Sequence, residues 1–195
     1  MPKKSIRGKE KNGSPAEEEQ RPGHDIIVIG ASAGGVEVLK DLARSLPSDL
    51  PAAVFVVLHT APYPPSLLPE ILNSVGRIPA SHAIHGETIH PGHIYVAPSD
   101  NHLTLQKGKI SVVRGPKENG NRPAVDPLFR SAARAYGARV IGVILTGALD
   151  CGTAGMMIVE SLGGLTVAQD PKEAFCPDMP QSAIDHVKVD YILPV

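Results

Sequence analysis

Three polar side chains stand at the ends of apolar segments that are typical of buried strands. Ser32 follows the run IIVIGA, His59 follows AVFVVL, and Asp150 follows VIGVIL within a glycine-containing turn. A serine hydroxyl becomes a nucleophile when a histidine takes its proton, and an acid commonly orients that histidine. These residue types therefore predict acyl transfer, provided that the fold brings the strand ends together.

The turn around Ser32 has three interpretations. Its sequence GASAG, residues 30–34, fits the G-x-S-x-G pattern, in which flanking glycines let a serine stand exposed between a strand and a helix. A phosphate-binding loop would need glycine in place of Ser32, or Gly-Lys-Ser/Thr at the helix start, and the sequence has neither. The third interpretation is a turn of small residues that serves packing alone. The turn by itself leaves the nucleophile and the packing interpretations open.

His59 is the candidate general base. It ends the strand that follows the serine strand in the chain, and the carboxyl ends of parallel strands meet at one edge of a sheet. A strand-end histidine on its own is more often a surface or structural residue. Five further histidines lie across loops and a strand with no cysteine among them, which disfavours a metal site and favours solvated side chains: His82, His85, His90, His93 and His102. We expect neither a metal nor another cofactor.

Composition indicates one domain that binds a small ligand or another protein. The chain has 195 residues, of which 42% are hydrophobic and 4% aromatic, so one core of aliphatic side chains is expected. A net charge of −1 gives no attraction to nucleic acid or to an anionic membrane. No apolar run approaches the roughly 20 residues that span a bilayer. Two cysteines and no recognisable export signal favour a cytoplasmic protein.

The chain divides into a tail and a domain. The first 24 residues are rich in Lys, Glu, Gly, Pro and Ser, which predicts a disordered tail before a domain over 25–195. That domain alternates strand-like and helix-like segments, so the predicted fold class is α/β with a mainly parallel sheet.

Several individual elements are also predicted. Helices are expected over 66–73 and 180–187. Residues 93–115 alternate polar and apolar side chains around QKGK, which predicts antiparallel chain with a hairpin insertion. Asp126 before a proline predicts the N-cap of a helix that ends near Tyr136.

Six motifs in order resemble the catalytic domain of the chemotaxis-type protein-glutamate methylesterase (CheB) family. They are GASAGG, the strand-end His59, PGHIYVAPSDNHL, RPAVDPLFRSAA, GVILTGALDCGTAGM and MPQSAI, and the match runs from about Asp25 to the end of the chain. The resemblance implies a three-layer αβα fold and a serine hydrolase that demethylates glutamyl methyl esters of chemoreceptors or receptor-like signalling proteins, releasing methanol. The implied partner is the methylated receptor, with no nucleic acid and no membrane insertion.

The resemblance also implies a role for each site residue. Ser32 would be the nucleophile and His59 the general base, while backbone N–H groups near Ala33 and Ala148 would stabilise the oxyanion. The chain order Ser, His, Asp differs from that of α/β-hydrolases, which place the acid before the histidine.

The acid position departs from the family. The family's turn reads T-G-x-x-x-D-G, and counting from Thr146 places Cys151 where the aspartate would stand, with Asp150 one residue earlier. A neutral thiol accepts hydrogen bonds weakly and cannot balance an imidazolium. Asp150 could be a substitute acid if the turn redirects it. Cys151 could instead be a thiolate paired with protonated His59, its pKa lowered by a helix N-terminus. A small buried Cys151 in a slow or inactive relative is the third alternative.

Two rival functions follow from the altered turn. A signalling module would bind its partner without turnover, and a nucleotide-binding protein would use the glycine turn as an anion site.

Only the predicted tail precedes Asp25, so regulation by a phosphorylated receiver domain in the same chain is not expected. The sequence ends at DYILPV, where relatives continue into a helix, and self-association is one way to cover the apolar face that this leaves.

Overall fold

Seven strands form the central sheet of this computed structural model, which describes residues 23–195. The strands are β1 (Ile26–Ala31), β2 (Ala53–Leu58), β3 (Ala80–His82), β4 (His93–Val96), β7 (Val140–Ile144), β8 (Leu165–Gln169) and β9 (Tyr191–Leu193). Their order across the sheet is β3-β4-β2-β1-β7-β8-β9, and every neighbouring pair is parallel. The carboxyl ends of all seven strands therefore lie at one edge.

Helices cover both faces of this sheet. One face carries α1 (Gly35–Ser45) and α2 (Leu68–Val75), and the other carries α3 (Val125–Tyr136), α4 (Thr153–Ser161) and α5 (Asp178–His186). Leu39 and Leu72 belong to the buried cluster on the first face, and Phe129 and Met156 belong to the cluster on the second. The predicted α/β class with a mainly parallel sheet between two helical layers is confirmed.

The two central strands bring Ser32 and His59 side by side. All six residues of β2 and five of the six in β1 are buried, as a parallel sheet covered on both faces requires. Ala31 pairs with Leu58 in the register of these strands, so Ser32 and His59 are the first residues beyond the paired ends. The His59 N–H also donates to the Ala31 carbonyl oxygen at 3.1 Å.

The region 93–115 is only partly as predicted. The hairpin around QKGK is confirmed as the antiparallel pair β5 (His102–Gln106) and β6 (Lys109–Val113), which packs against α3. The antiparallel prediction for residues 93–96 is wrong, because β4 lies parallel between β2 and β3 in the main sheet. Alternating polarity does not reveal strand direction, which here depends on partners distant in sequence.

The remaining predicted elements are present with shifted bounds. The helices predicted over 66–73 and 180–187 occur at Leu68–Val75 and Asp178–His186. The N-cap prediction for Asp126 is wrong: α3 already begins at Val125, and the Asp126 side chain bonds to the start of α4. The predicted tail over 1–24 lies outside the described residues, except for its last two. Within residues 23–195, no helix has the length and apolar character needed to cross a membrane.

An apolar groove opens beside α1. Val143 of β7 and Val167 of β8 line it, and Leu46 after α1 and Leu193 of β9 border it. The groove encloses about 390 Å³. It lies on the sheet face that α1 and α2 cover, and Ser32 and His59 are not among its lining residues.

Candidate active site

Ser32 lies in the turn that joins β1 to α1. Its N–H donates to the Thr146 carbonyl oxygen at 2.9 Å, and its carbonyl accepts the Gly35 N–H at 2.9 Å. The serine is half-buried, and its Oγ has no hydrogen-bond partner within residues 23–195. The left-handed residue of the turn is Gly34, with φ of 77°, so the bend is made at a residue without a Cβ. Backbone hydrogen bonds therefore hold the Ser32 turn in place, and the Ser32 hydroxyl has no hydrogen-bond partner among the described residues.

Thr146 fastens the serine turn to the turn after β7 and the loop after β8. Its hydroxyl donates to the Ala33 carbonyl at 2.9 Å and accepts the Cys176 N–H at 2.8 Å. The Gly147 N–H donates to the Cys176 carbonyl at 2.9 Å. Thr146 is completely buried, so these bonds are shielded from water. Three loops thus form one connected rim around Ser32.

The backbone N–H groups of Ala33 and Ala148 are free to bind an oxyanion. Neither group has a hydrogen-bond acceptor in the part of the chain that the structure describes, and both residues are exposed. They lie in the two turns that the Thr146 bonds join. Two amide donors without acceptors on adjoining turns are suited to stabilise the oxygen of a tetrahedral intermediate.

His59 is suited to accept a proton. Burial lowers its pKa below the ordinary value of 6.5, and the negative charge of Asp126 raises it in part. Its Nε2 is buried and has no partner among the described residues. No hydrogen bond joins the His59 ring to Ser32 in this part of the chain, and such bonds often tighten only when substrate binds. The side chain is therefore a neutral base near pH 7.

Cys151 is a buried neutral thiol. The side chain is 2% exposed, its Sγ accepts the Val125 N–H at 3.4 Å, and its S–H lies 3.7 Å from Asp126 Oδ2. Burial raises the pKa of this thiol to about 11. The thiolate alternative is therefore wrong, because loss of solvent, together with the negative charge of Asp126, outweighs the lowering of the pKa by the hydrogen bond from the Val125 N–H.

Asp126 is the charged residue of the site that sequence reasoning missed. Its carboxylate is 2% exposed and accepts the backbone N–H groups of Gly155 at 2.6 Å and Gly152 at 3.1 Å. The Asn119 side-chain amide donates to it at 3.0 Å. Asp126 therefore satisfies free N–H groups at the start of α4 while carrying a buried negative charge close enough to influence His59. The pair Asp126-Pro127 did not indicate this role in the sequence, because such a pair is typical of the N-cap of its own helix.

Asp150 points away from this buried group. It is exposed, and its carbonyl oxygen accepts the Thr153 N–H at 3.1 Å. Its carboxylate has no hydrogen bond within residues 23–195, whereas the adjacent Cys151 is buried. The structure thus brings Ser32 and His59 together and buries Cys151 against Asp126, whose charge acts on His59, but it leaves Asp150 at the surface.

Several of the other histidines make ring hydrogen bonds within the fold. His102 is 3% exposed and bonds through Nε2 to the Pro116 carbonyl at 2.8 Å, so the prediction that this side chain is solvated is wrong. His82 bonds to the Ser66 carbonyl at 2.8 Å. Across residues 23–195, no group of three or more His, Cys, Asp or Glu side chains is arranged to hold a metal ion.

Comparison with known proteins gives consistent matches. A family model described as CheB methylesterase matches residues 27–195. Two curated relatives, each called protein-glutamate methylesterase/protein-glutamine glutaminase, come from Ralstonia nicotianae and Geobacter metallireducens. Both are 41% identical over 174 residues, which is 87% of this chain but 45% and 48% of theirs. The chain therefore spans about half the length of these relatives.

A solved structure agrees with the fold. The crystal structure of the Thermotoga maritima CheB methylesterase catalytic domain matches with a TM-score of 0.82 and 37% sequence identity. The match covers 89% of this chain and 94% of that chain. The likeness thus includes nearly the whole catalytic domain of that protein.

Proposed function

Because the chain belongs to the CheB methylesterase family, we propose that it hydrolyses glutamyl methyl esters of methylated chemoreceptors or receptor-like signalling proteins, releasing methanol. One observation carries the proposal. Within residues 23–195, the Ser32 hydroxyl and the N–H groups of Ala33 and Ala148 have no hydrogen-bond partner, and they lie at the same strand edge as His59, whose pKa is lowered by burial. This combination supplies a nucleophile, an oxyanion site and a base at one strand edge.

The reaction begins with an attack by Ser32 Oγ on the ester carbonyl carbon. His59 takes the hydroxyl proton as the Oγ–C bond forms, and the carbonyl oxygen, now negative, accepts the N–H groups of Ala33 and Ala148. The intermediate then breaks its C–OCH₃ bond, and the imidazolium gives its proton to the leaving methoxide to form methanol. Water next attacks the acyl-enzyme with His59 again as base, which restores Ser32 and leaves a free glutamate.

Asp126 is our proposed source of the negative charge that an imidazolium needs. It is buried, it raises the pKa of His59, and the Cys151 thiol donates to it. This charge acts through space, without a direct bond to the ring. We therefore expect slower turnover than in a chain with an acid at position 151, since a neutral residue at the acid position of a serine protease costs about 10⁴-fold.

The names of the relatives favour a second activity of the same site. Both are called protein-glutamine glutaminases as well as methylesterases. Hydrolysis of a glutamine side chain would form the same acyl-Ser32 intermediate, with ammonia leaving in place of methanol. An amide nitrogen must be protonated to leave, so this reaction depends more strongly on proton donation by His59.

A binding module without turnover is the alternative, and Cys151 is the observation that favours it. The deciding experiment measures methanol release from a methylated receptor preparation by wild type, Ser32→Ala and Ser161→Ala. Ser161 is the matched control because it is an exposed serine at the end of α4. Release by wild type and Ser161→Ala but not by Ser32→Ala supports the esterase. Receptor binding by all three without methanol release supports the module.

The setting of the protein is also part of the proposal. We infer that it acts in the cytoplasm, where the methylated segments of such receptors would be reached. We also infer self-association through the apolar groove beside α1, which Leu193 and Leu46 border. Sedimentation of wild type and Leu193→Asp tests this, because a dimer formed through the groove would dissociate in the variant.

A further inference from the structure

We propose that Phe175 and Leu149 form an apolar rim beside Ser32 that selects substrate proteins by an apolar side chain adjacent to the esterified glutamate. This inference rests on the proposed function, since it concerns how a protein substrate would be chosen at the same site. The apolar rim consists of these two side chains only.

Both rim side chains are large, apolar and exposed at the edge that holds Ser32. Phe175 is 81% exposed in the loop after β8, and Leu149 is 70% exposed in the turn after β7. Single exposed apolar residues are common on protein surfaces. Two on neighbouring loops that both join the serine turn are the feature that points to a contact with substrate.

Phe175 has an exposed ring on a loop that is bonded to the serine site. The next residue, Cys176, bonds through its N–H to the Thr146 hydroxyl and through its carbonyl to the Gly147 N–H. Phe175 itself packs against Gly34, where an added Cβ would lie 2.7 Å from the Phe175 Cβ. The ring therefore lies next to the turn that carries Ser32, on a loop whose backbone is bonded to that site.

Leu149 is held in an unfavourable backbone conformation. Its φ is 67°, a left-handed value that residues with a Cβ adopt at a cost, and its N–H lies 3.4 Å from Asp178 Oδ2. Leu149 also directly follows Ala148, one of the two proposed oxyanion donors. Strain of this kind at an exposed apolar residue indicates a functional position, because a glycine or asparagine would fit the backbone better.

The partner that fits this surface is a protein segment with an apolar residue near its glutamyl ester. The relatives' names specify a glutamate within a protein, so the acyl group at Ser32 brings neighbouring side chains with it. On a helix, residues three and four positions away share a face with the glutamate. An apolar residue there would contact Phe175 or Leu149 as the ester carbonyl reaches Ser32, and rigid aromatic side chains are typical anchors of such contacts.

The test compares two synthetic peptides that carry a γ-methyl glutamate. One has leucines three and four positions from the ester, and the other has serines there. We expect wild type to prefer the leucine peptide in kcat/KM by about tenfold, and Phe175→Ser to reduce the preference below about threefold. Leu149→Asn removes the other apolar chain while suiting the left-handed backbone, and should also reduce it. The preference is a ratio, so a general loss of catalytic power leaves it unchanged.

Leu162→Ser is the matched control. Leu162 is 44% exposed at the end of α4, whose carboxyl end lies at the opposite edge of the sheet, so this variant should keep the wild-type preference. Equal hydrolysis of both peptides by wild type would overturn the proposal, as would an unchanged preference in both rim variants.

A binding measurement separates the rim from the proposed catalysis. In the Ser32→Ala background, a fluorescent leucine peptide should bind about tenfold more weakly when Phe175→Ser is added. If wild type hydrolyses neither peptide, the proposed ester hydrolysis fails. The binding measurement alone then tests whether the apolar rim contacts the peptide. Unchanged affinity in that variant overturns the rim even if hydrolysis occurs.

Discussion

The turns after β1 and β7 lie side by side at the carboxyl edge of the sheet, but they use their polar atoms differently. In the first turn, the Ser32 hydroxyl and the Ala33 N–H have no partners among the described residues. At the end of the second, Cys151 and the neighbouring Asp126 are occupied in buried bonds, and Gly152 donates to that carboxylate. The first turn is therefore open to a substrate, whereas the end of the second, at Cys151 and Gly152, is bonded to the residues that hold the start of α4, and only its earlier part around Ala148 stays open.

Removal of His59, the proposed base beside the Ser32 turn, should have the largest effect on ester hydrolysis. We expect His59→Gln to lower ester hydrolysis about 10³-fold, because the serine proton would have no acceptor. Methanol release measures this, with His186→Gln as the control. His186 is an exposed histidine at the end of α5 whose ring bonds to the Ser182 carbonyl, so activity should be retained. Equal losses in both variants would contradict the role of His59.

An acid at position 151, at the end of the turn after β7, should have the next largest effect on turnover. Cys151→Asp is expected to raise turnover about 10²-fold, because a charge at the family's acid position would balance the imidazolium directly. The new carboxylate would also lie beside Asp126, so we expect lower stability as well. Cys151→Ser is the control, since it changes the group without adding charge. Turnover no higher in the aspartate variant than in the serine variant would refute this account of the acid.

Neutralisation of Asp126 should affect turnover and stability far more than neutralisation of Asp150. Asp126→Asn is expected to lower turnover about tenfold and to cost about 2 kcal/mol of unfolding free energy, because a buried carboxylate loses charge and acceptor strength. Asp150→Asn should change either quantity little, since its carboxylate is exposed and unbonded within residues 23–195. Urea unfolding and methanol release check both. A larger effect at Asp150 would favour it as the substitute acid.

The pH profile should show the smallest effect. The base must be deprotonated, and burial lowers the pKa of His59 below 6.5, so kcat/KM should be level above that pH and fall only at lower pH. Asp126→Asn removes a charge that raises this pKa, so the fall should move to still lower pH. If kcat/KM instead rises through pH 7 or higher, the base is not a His59 side chain whose pKa is lowered by burial.

Sequence reasoning succeeded where apolar runs end at polar residues. The placement of Ser32 and His59 follows from two apolar strands that are buried along nearly their whole length, which makes their ends easy to recognise. It failed for residues 93–96 and for Asp126. Strand direction depends on distant partners, and the Asp126 carboxylate bonds to N–H groups 26 and 29 residues further along the chain. Neither relation leaves a local pattern.

The sequence by itself determined the alternation of strands and helices, the serine turn and the replacement of the family's aspartate by Cys151, because each depends on residue type and local spacing. The tertiary structure decided the state of that position. Packing against α3 buries the thiol and keeps it protonated, turns Asp150 to the surface and places the Asp126 charge where it acts on His59. Burial and long-range charge depend on which segments meet in space, and only the folded chain sets them.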